Sequence, residues 1–119
     1  MTWLAVFVGG GLGSLCRYGI SKWIGHHGSG FPSGTFMANL IACLILGLAW
    51  RYLMDKGQAW NAVKTLVMVG FCGGFSTFST FSMETIRLAQ SGNWFIASVY
   101  VLGSVGACLL LLAVVVSKS

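Results

Sequence analysis

The sequence predicts an all-α integral membrane protein, one domain over residues 1–119 built from four transmembrane helices. Two observations about composition carry that expectation, and a third about spacing. Hydrophobic residues make up 56% of the chain and charged residues only 8%, with a mean hydropathy of +0.84. A soluble domain needs a polar shell in which about a quarter of the residues are charged. Asp55 and Glu84 are the only acids here, set against seven bases. So little charge cannot coat a water-facing surface, and the bilayer is the natural solvent.

The spacing supplies the helices. Four apolar stretches, near residues 3–24, 34–54, 65–88 and 94–116, each reach the roughly 20 helical residues that cross a hydrocarbon core. The intervening segments GHHGSGFPS, DKGQAWNA and AQSGN hold the turn-forming and polar residues. Pro32, the only proline, stands just before the second stretch, where helix chemistry tolerates it. Trp3, Trp23, Trp50, Trp60 and Trp94 lie near proposed ends, as an interfacial aromatic belt requires. The first stretch has no basic leader and no small-residue cleavage site, and Arg17 interrupts it, so it reads as a span rather than a signal peptide.

Several function classes are excluded. The net charge of +5 is spread over single bases at the ends of apolar stretches, so no nucleic-acid footprint is present. Cys16, Cys43, Cys72 and Cys108 fall one to each stretch, far from any zinc-ligand or redox spacing, and read as small buried apolar side chains. His26–His27 has no third ligand nearby and reads as solvated loop. No nucleotide-binding motif or catalytic triad occurs, and no enzyme is expected.

The loops carry a further signal. With four crossings, Arg51, Lys56, Lys64 and Lys118 share one side, while Lys22, Arg87 and Arg17 belong to the other. That is hardly a bias, and bias sets orientation. Such a chain is able to insert both ways round, which suggests an antiparallel, dual-topology homodimer.

The third stretch is the most informative. Its run Gly70-Phe-Cys-Gly-Gly-Phe-Ser-Thr-Phe-Ser-Thr-Phe-Ser82 joins adjacent glycines to a dense set of hydroxyls, a poor recipe for an uninterrupted lipid-facing helix. Either the helix is broken where protein or a water-filled path surrounds it, or the run is a Gly/Ser/Thr packing interface. Phe75, Phe78 and Phe81 recur every three residues and form one row if the helix is continuous; Thr77, Thr80 and Glu84 form a second. A phenylalanine edge is positive and is able to meet an anion, and hydroxyls add donors. Asn39, mid-membrane in the second stretch, is either helix–helix glue or a pore donor. Arg17 and Glu84 are ionisable groups within the spans, a functional hypothesis in competition with snorkelling.

These residues together resemble the CrcB/Fluc family of fluoride channels. The likeness runs through GGGLGSLCRY, GTFMANLIACLILG and GFCGGFSTFSTF, with Tyr100 and Ser104 in the last stretch. The resemblance implies an antiparallel homodimer with a broken third helix, two separate fluoride pores and a bacterial inner-membrane location. It implies that Asn39, Phe78 and Phe81 line the anion path, with Ser79 and Thr80 as a hydroxyl track and Tyr100 and Ser104 as the fourth-helix pore positions. Arg17 and Glu84 would belong to vestibules. Backbone carbonyls of Gly73 and Ser76, a position often threonine in the family, would hold a structural sodium ion between subunits. The competing expectations are a proton-coupled exporter like the small multidrug transporters, which needs a carboxylate deep in its first helix, and a non-transporting assembly factor.

Overall fold

A computed structural model describes residues 2–24 and 31–117. The His26–His27 pair and Lys118 lie outside the described residues. Among the described residues are six α-helical segments: α1 (Thr2–Ile24), α2 (Ser33–Leu53), α3 (Asn61–Lys64), α4 (Cys72–Phe75), α5 (Ser79–Gln90) and α6 (Trp94–Ser117). A short 3₁₀ turn, Gln58–Trp60, precedes α3, and a π-helical stretch, Thr65–Phe71, joins α3 to α4. Four helical stretches are long and apolar enough to cross a membrane: Thr2–Ile24, Ser33–Leu53, Gln58–Gln90 and Trp94–Ser117. In hydrocarbon every backbone polar group must be satisfied internally, and long helices do this within one segment.

The helix ends follow local chemistry. The Pro32 carbonyl accepts from Phe36 N–H at 3.2 Å, so proline opens α2 where no N–H donor is needed. The α5–α6 turn closes on Gly92 at φ +88°, the only positive φ among the described residues. Asn93 N–H donates to Leu88 O at 2.8 Å and Gly92 N–H to Ala89 O at 3.1 Å, a Schellman closure that glycine adopts without strain. All five tryptophans are exposed and sit at helix ends or in the 3₁₀ turn.

Packing divides the chain into two cooperating sets. α1 lies along the π stretch and α4, α2 packs on α6 and touches α1 and α4, and α5 leans on α6. The α1 contact is made by glycines on both sides: Gly9 packs on Gly70, Gly10 on Gly74, and Gly13 on the backbone of Phe71 and Phe75. A methyl at Gly13 would land on the Phe71 carbonyl oxygen and 2.8 Å from the Phe75 nitrogen. Such small-residue pairs let backbones approach where no hydrophobic effect drives helices together. Gly13→Ala should therefore cost about 1–3 kcal/mol through overpacking, whereas Gly103→Ala, which meets open space, should cost far less. Thermal aggregation of the detergent-solubilised variants measures the difference, and equal midpoints would contradict the close approach.

The third stretch departs from the even spacing of the other three. α4 ends at Phe75, Ser76 takes extended dihedrals (φ −82°, ψ 159°), and α5 begins at Ser79. This corrects the two rows read across residues 75–84. Phe75 is buried against Ala38 and Ala42, Phe81 is buried against Leu88, Ala97 and Tyr100, and Phe78 between them is 78% exposed. Thr77 likewise stands before α5 rather than in a row with Thr80 and Glu84. The cysteine reading is corrected too: Cys72 is buried, Cys43 and Cys108 are half-buried, and Cys16 is exposed on α1.

Candidate ion pathway

The segment between α4 and α5 is held by one side chain from another helix. Asn39 on α2 donates through Nδ2 to Thr77 O at 3.2 Å, and its Oδ1 accepts from Thr77 N–H at 2.8 Å. These two bonds fix the amide orientation, because Thr77 N–H requires an acceptor. One hydrogen of the Nδ2 group is used on Thr77 O and the second remains. Asn39 is thus glue, and its remaining donor leaves it able to serve a ligand as well.

The clamp redirects the neighbouring backbone. In a continuing helix Thr77 N–H would bond Gly73 O; it bonds Asn39 instead. Thr80 N–H donates to Thr77 Oγ1 at 3.2 Å, capping the first turn of α5 rather than bonding Ser76 O. Gly74 O accepts from Arg17 Nε at 3.1 Å. Ser76 Oγ turns back to Cys72 O at 2.8 Å. Backbone carbonyls at the end of α4 are therefore released from the helical pattern, the condition under which they serve other groups.

Beside the clamp a groove of about 260 Å³ is lined by Asn39, Cys43, Ser76, Thr77, Phe78, Phe81, Ser104, Val105 and Cys108. Ser104 Oγ is the buried side-chain polar atom among the described residues that has no hydrogen-bond partner. Leaving a hydroxyl buried and unpaired costs about 1–3 kcal/mol. The Phe78 and Phe81 rings stand 5.8 Å apart, tilted by 41°. Phe81 in turn lies 4.9 Å from the Tyr100 ring. Tyr100 is fully buried, and its phenol donates to Glu84 Oε1 at 2.9 Å.

Among the residues singled out from the sequence, Asn39, Ser76, Phe78, Phe81 and Ser104 thus share one groove. Tyr100 backs it through Phe81, and Glu84 reaches it only through Tyr100. Ser79 Oγ lies 3.4 Å from Thr77 Oγ1 at its rim, and Thr80 joins through its backbone. Arg17 lies away from the groove, fixing α1 to α4, and Gly73 is exposed on the outer surface of α4. Sequence reasoning missed Thr77, Cys43 and Cys108 as groove residues. A signal existed for the cysteines: Cys43 follows Asn39 by four residues and Cys108 follows Ser104 by four, which puts each pair on one helix face.

A groove with an amide donor, an orphan hydroxyl and two aromatic rings, set into an apolar helical assembly, suits a small anion. Comparison with known proteins bears on the same point. Residues 4–116 match the family model described as CrcB-like protein, Camphor Resistance (CrcB). The chain belongs to this family. Among its relatives is a protein named fluoride-specific ion channel FluC 2 from Listeria monocytogenes, 44% identical over 87% of this chain and 79% of that protein. A fluoride-specific ion channel FluC from Geotalea daltonii is 43% identical over 87% and 86%, and one from Magnetococcus marinus is 40% identical over 92% and 89%. The family model spans residues 4–116 of this chain, a range that contains every groove residue.

Proposed function

We propose that the chain is a subunit of a fluoride-selective channel that exports the anion passively across the bacterial inner membrane. The observation that carries this reading is the partnerless Ser104 hydroxyl, buried in the wall of the groove that holds Asn39, Phe78 and Phe81. Fluoride is small and strongly hydrated, so a pore must replace its water with several donors. Ser104 Oγ–H and the second hydrogen of Asn39 Nδ2 are such donors, and ring edges of Phe78 and Phe81 add weak positive contacts. Conduction also requires weak, multiple sites, and no lysine or arginine lines the groove. Hydrogen fluoride entering as a neutral acid would dissociate inside, and the anion would leave down its gradient. The names of the relatives support the same cargo. They give no support to a multidrug exporter, and α1 carries Arg17 but no acid.

The full assembly in this reading is an antiparallel, dual-topology homodimer with the third span broken at residues 76–78. The exposed Gly73 and Phe78 support it, since a second copy would cover them. Arg17 and Glu84 would stand at vestibules in that dimer. A sodium ion would be held between copies by carbonyls of Gly73 and Ser76. Those two oxygens suit a hard cation, because Asn39 and Thr77 Oγ1 have taken the amides that would otherwise bond them. The ion's chemistry there is to satisfy backbone charge at a subunit junction. Exchange of sodium for a bulky organic cation, after thorough depletion, should lower the dimer fraction in detergent; an unchanged fraction would remove the ion from the assembly.

Fluoride efflux from liposomes containing only the purified protein tests the central claim, and absence of electrogenic fluoride flux would end it. Phe78→Ile sharpens the test. Phe78 is exposed, so isoleucine removes the ring edge with little loss of packing, and flux should fall at least about tenfold, or 1.4 kcal/mol on the barrier. Phe81→Ile should reduce flux as much, with an added loss of stability because Phe81 packs on Tyr100. Normal flux in a well-folded Phe78→Ile protein would make the aromatic pair ordinary packing.

A further inference from the structure

The break between α4 and α5 is held at two points by side chains from other helices, and only one of these lines the groove. Asn39 takes the N–H and the carbonyl of Thr77. Three residues earlier, the Gly74 carbonyl accepts from Arg17 Nε at 3.1 Å. A continuing helix would give that carbonyl the Phe78 N–H. With Ser76 extended that bond is absent, and the guanidinium supplies the donor instead. The reach is built into α1. Gly10 packs on Gly74 and Gly13 on the backbone of Phe71 and Phe75, and Arg17 follows Gly10 and Gly13 on one helix face. Arg17 is half-buried and is not part of the groove wall. Among the described residues neither acid pairs with it: Glu84 takes the Tyr100 phenol, and Asp55 lies in the exposed turn after α2. Snorkelling requires only that the charged tip reach water, and it asks nothing of Nε.

We propose that Arg17 is a positioning residue for the anion path: its Nε–H anchors the Gly74 carbonyl at the start of the break, and conduction depends on that bond rather than on the guanidinium charge. The inference rests on the groove being the anion path, and it goes beyond a place at the vestibule. Gly74 and Thr77 bracket Phe75 and Ser76, and Ser76, Thr77 and Phe78 are groove wall. With both anchors made, the backbone between them has a fixed course. With Asn39 alone the segment is held at one end and is free to pivot about Thr77. The pivot carries Ser76 and the ring edge of Phe78 off the path. A carbonyl stripped of its donor in apolar surroundings also drives the segment to find another.

Substitution separates the donor from the charge. Glutamine Nε2 lies as many bonds from Cα as arginine Nε, so Arg17→Gln keeps an N–H for the Gly74 carbonyl and removes the charge. Arg17→Met has that length with neither. Arg17→Lys keeps the charge but puts a methylene where Nε stands, with its ammonium one bond further on. Single-channel fluoride currents in planar bilayers are the readout. Lost stability reduces the number of channels, whereas a displaced wall reduces the current through each. Arg17→Gln should pass current within about twofold of the unaltered protein, and Arg17→Met should lose at least about fivefold. Equal currents through these two proteins, both full or both reduced, overturn the inference. Full current through Arg17→Lys with reduced current through Arg17→Gln assigns the role to the charge and overturns it too. If Arg17→Met is not monodisperse, Arg17→Lys takes its place, and full current through both Lys and Gln proteins counts against the bond. An unaltered protein that passes no fluoride fails the channel reading and takes this inference with it. A conducting protein with the contrary pattern fails the inference alone.

Discussion

Asn39→Asp should abolish fluoride flux, with a loss of at least about a hundredfold, or 2.7 kcal/mol on the barrier. Three consequences of one substitution add up to that figure. The aspartate still accepts from Thr77 N–H, but its second oxygen faces Thr77 O at the 3.2 Å where Nδ2 donated. Two acceptors then oppose each other, and a buried carbonyl left unpaired costs about 1–3 kcal/mol. The donor that would face the anion is lost as well, and a negative charge takes its place. Asn39→Ser is the informative companion. Serine is too short to span both Thr77 bonds, yet it keeps a donor and adds no charge. Its flux should fall about tenfold, between wild type and the aspartate. Size-exclusion profiles separate a conduction defect from a collapsed fold. Equal flux in the two variants, both monodisperse, would take Asn39 out of the path and leave it as glue alone.

The clamp also explains where sequence reasoning stopped. Hydropathy makes the spans legible because lipid imposes its demand on every residue of a stretch, whatever the neighbours. The Gly/Ser/Thr run of the third stretch is readable as a packing interface, one of two alternatives, for the same local reason, whereas the partner glycines of α1 are not. Nor is the point of interruption. Phe75, Phe78 and Phe81 form one row only if the helix continues, and whether it continues is decided by Asn39, 38 residues away, taking the Thr77 amide. No periodicity within the run encodes that contact. Arg17 is a second case. Snorkelling and a vestibule were the available readings, and its bond to Gly74 O depends on how closely the glycine surfaces of α1 and α4 approach. The π-helical stretch Thr65–Phe71 is a third. TLVMVGF is ordinary apolar sequence, and nothing in its pattern distinguishes a π turn from an α turn.

Fixing the chain in one orientation should be as damaging as Asn39→Asp, although no groove residue is touched. Lys and Arg in short loops decide orientation, and here Arg51, Lys56, Lys64 and Lys118 stand against Lys22, Arg87 and Arg17. The 3₁₀ turn between α2 and α3 offers a neutral place to tip that balance. Gly57, Gln58 and Ala59 are exposed, and a side chain at Gly57 meets open space. The triple variant Gly57→Lys, Gln58→Lys, Ala59→Lys should hold this loop in the cytoplasm and leave the helix packing intact. Every copy would then face one way, antiparallel pairs would not form, and resistance to fluoride in cells should collapse. A second variant reverses the bias with Gly28→Lys and Ser29→Lys on the opposite loop and Lys56→Gln and Lys64→Gln on this one. Lys64 Nζ donates to Lys56 O at 2.6 Å, an exposed bond worth little to stability, so this chain should still fold. It should be inactive alone for the mirror-image reason. Co-expression should restore resistance, because each variant supplies the orientation the other lacks. Cysteine labelling from the two sides of the membrane verifies the fixed orientations through an added loop cysteine. A singly oriented variant that protects cells fully by itself would show that the working channel does not require opposed subunits.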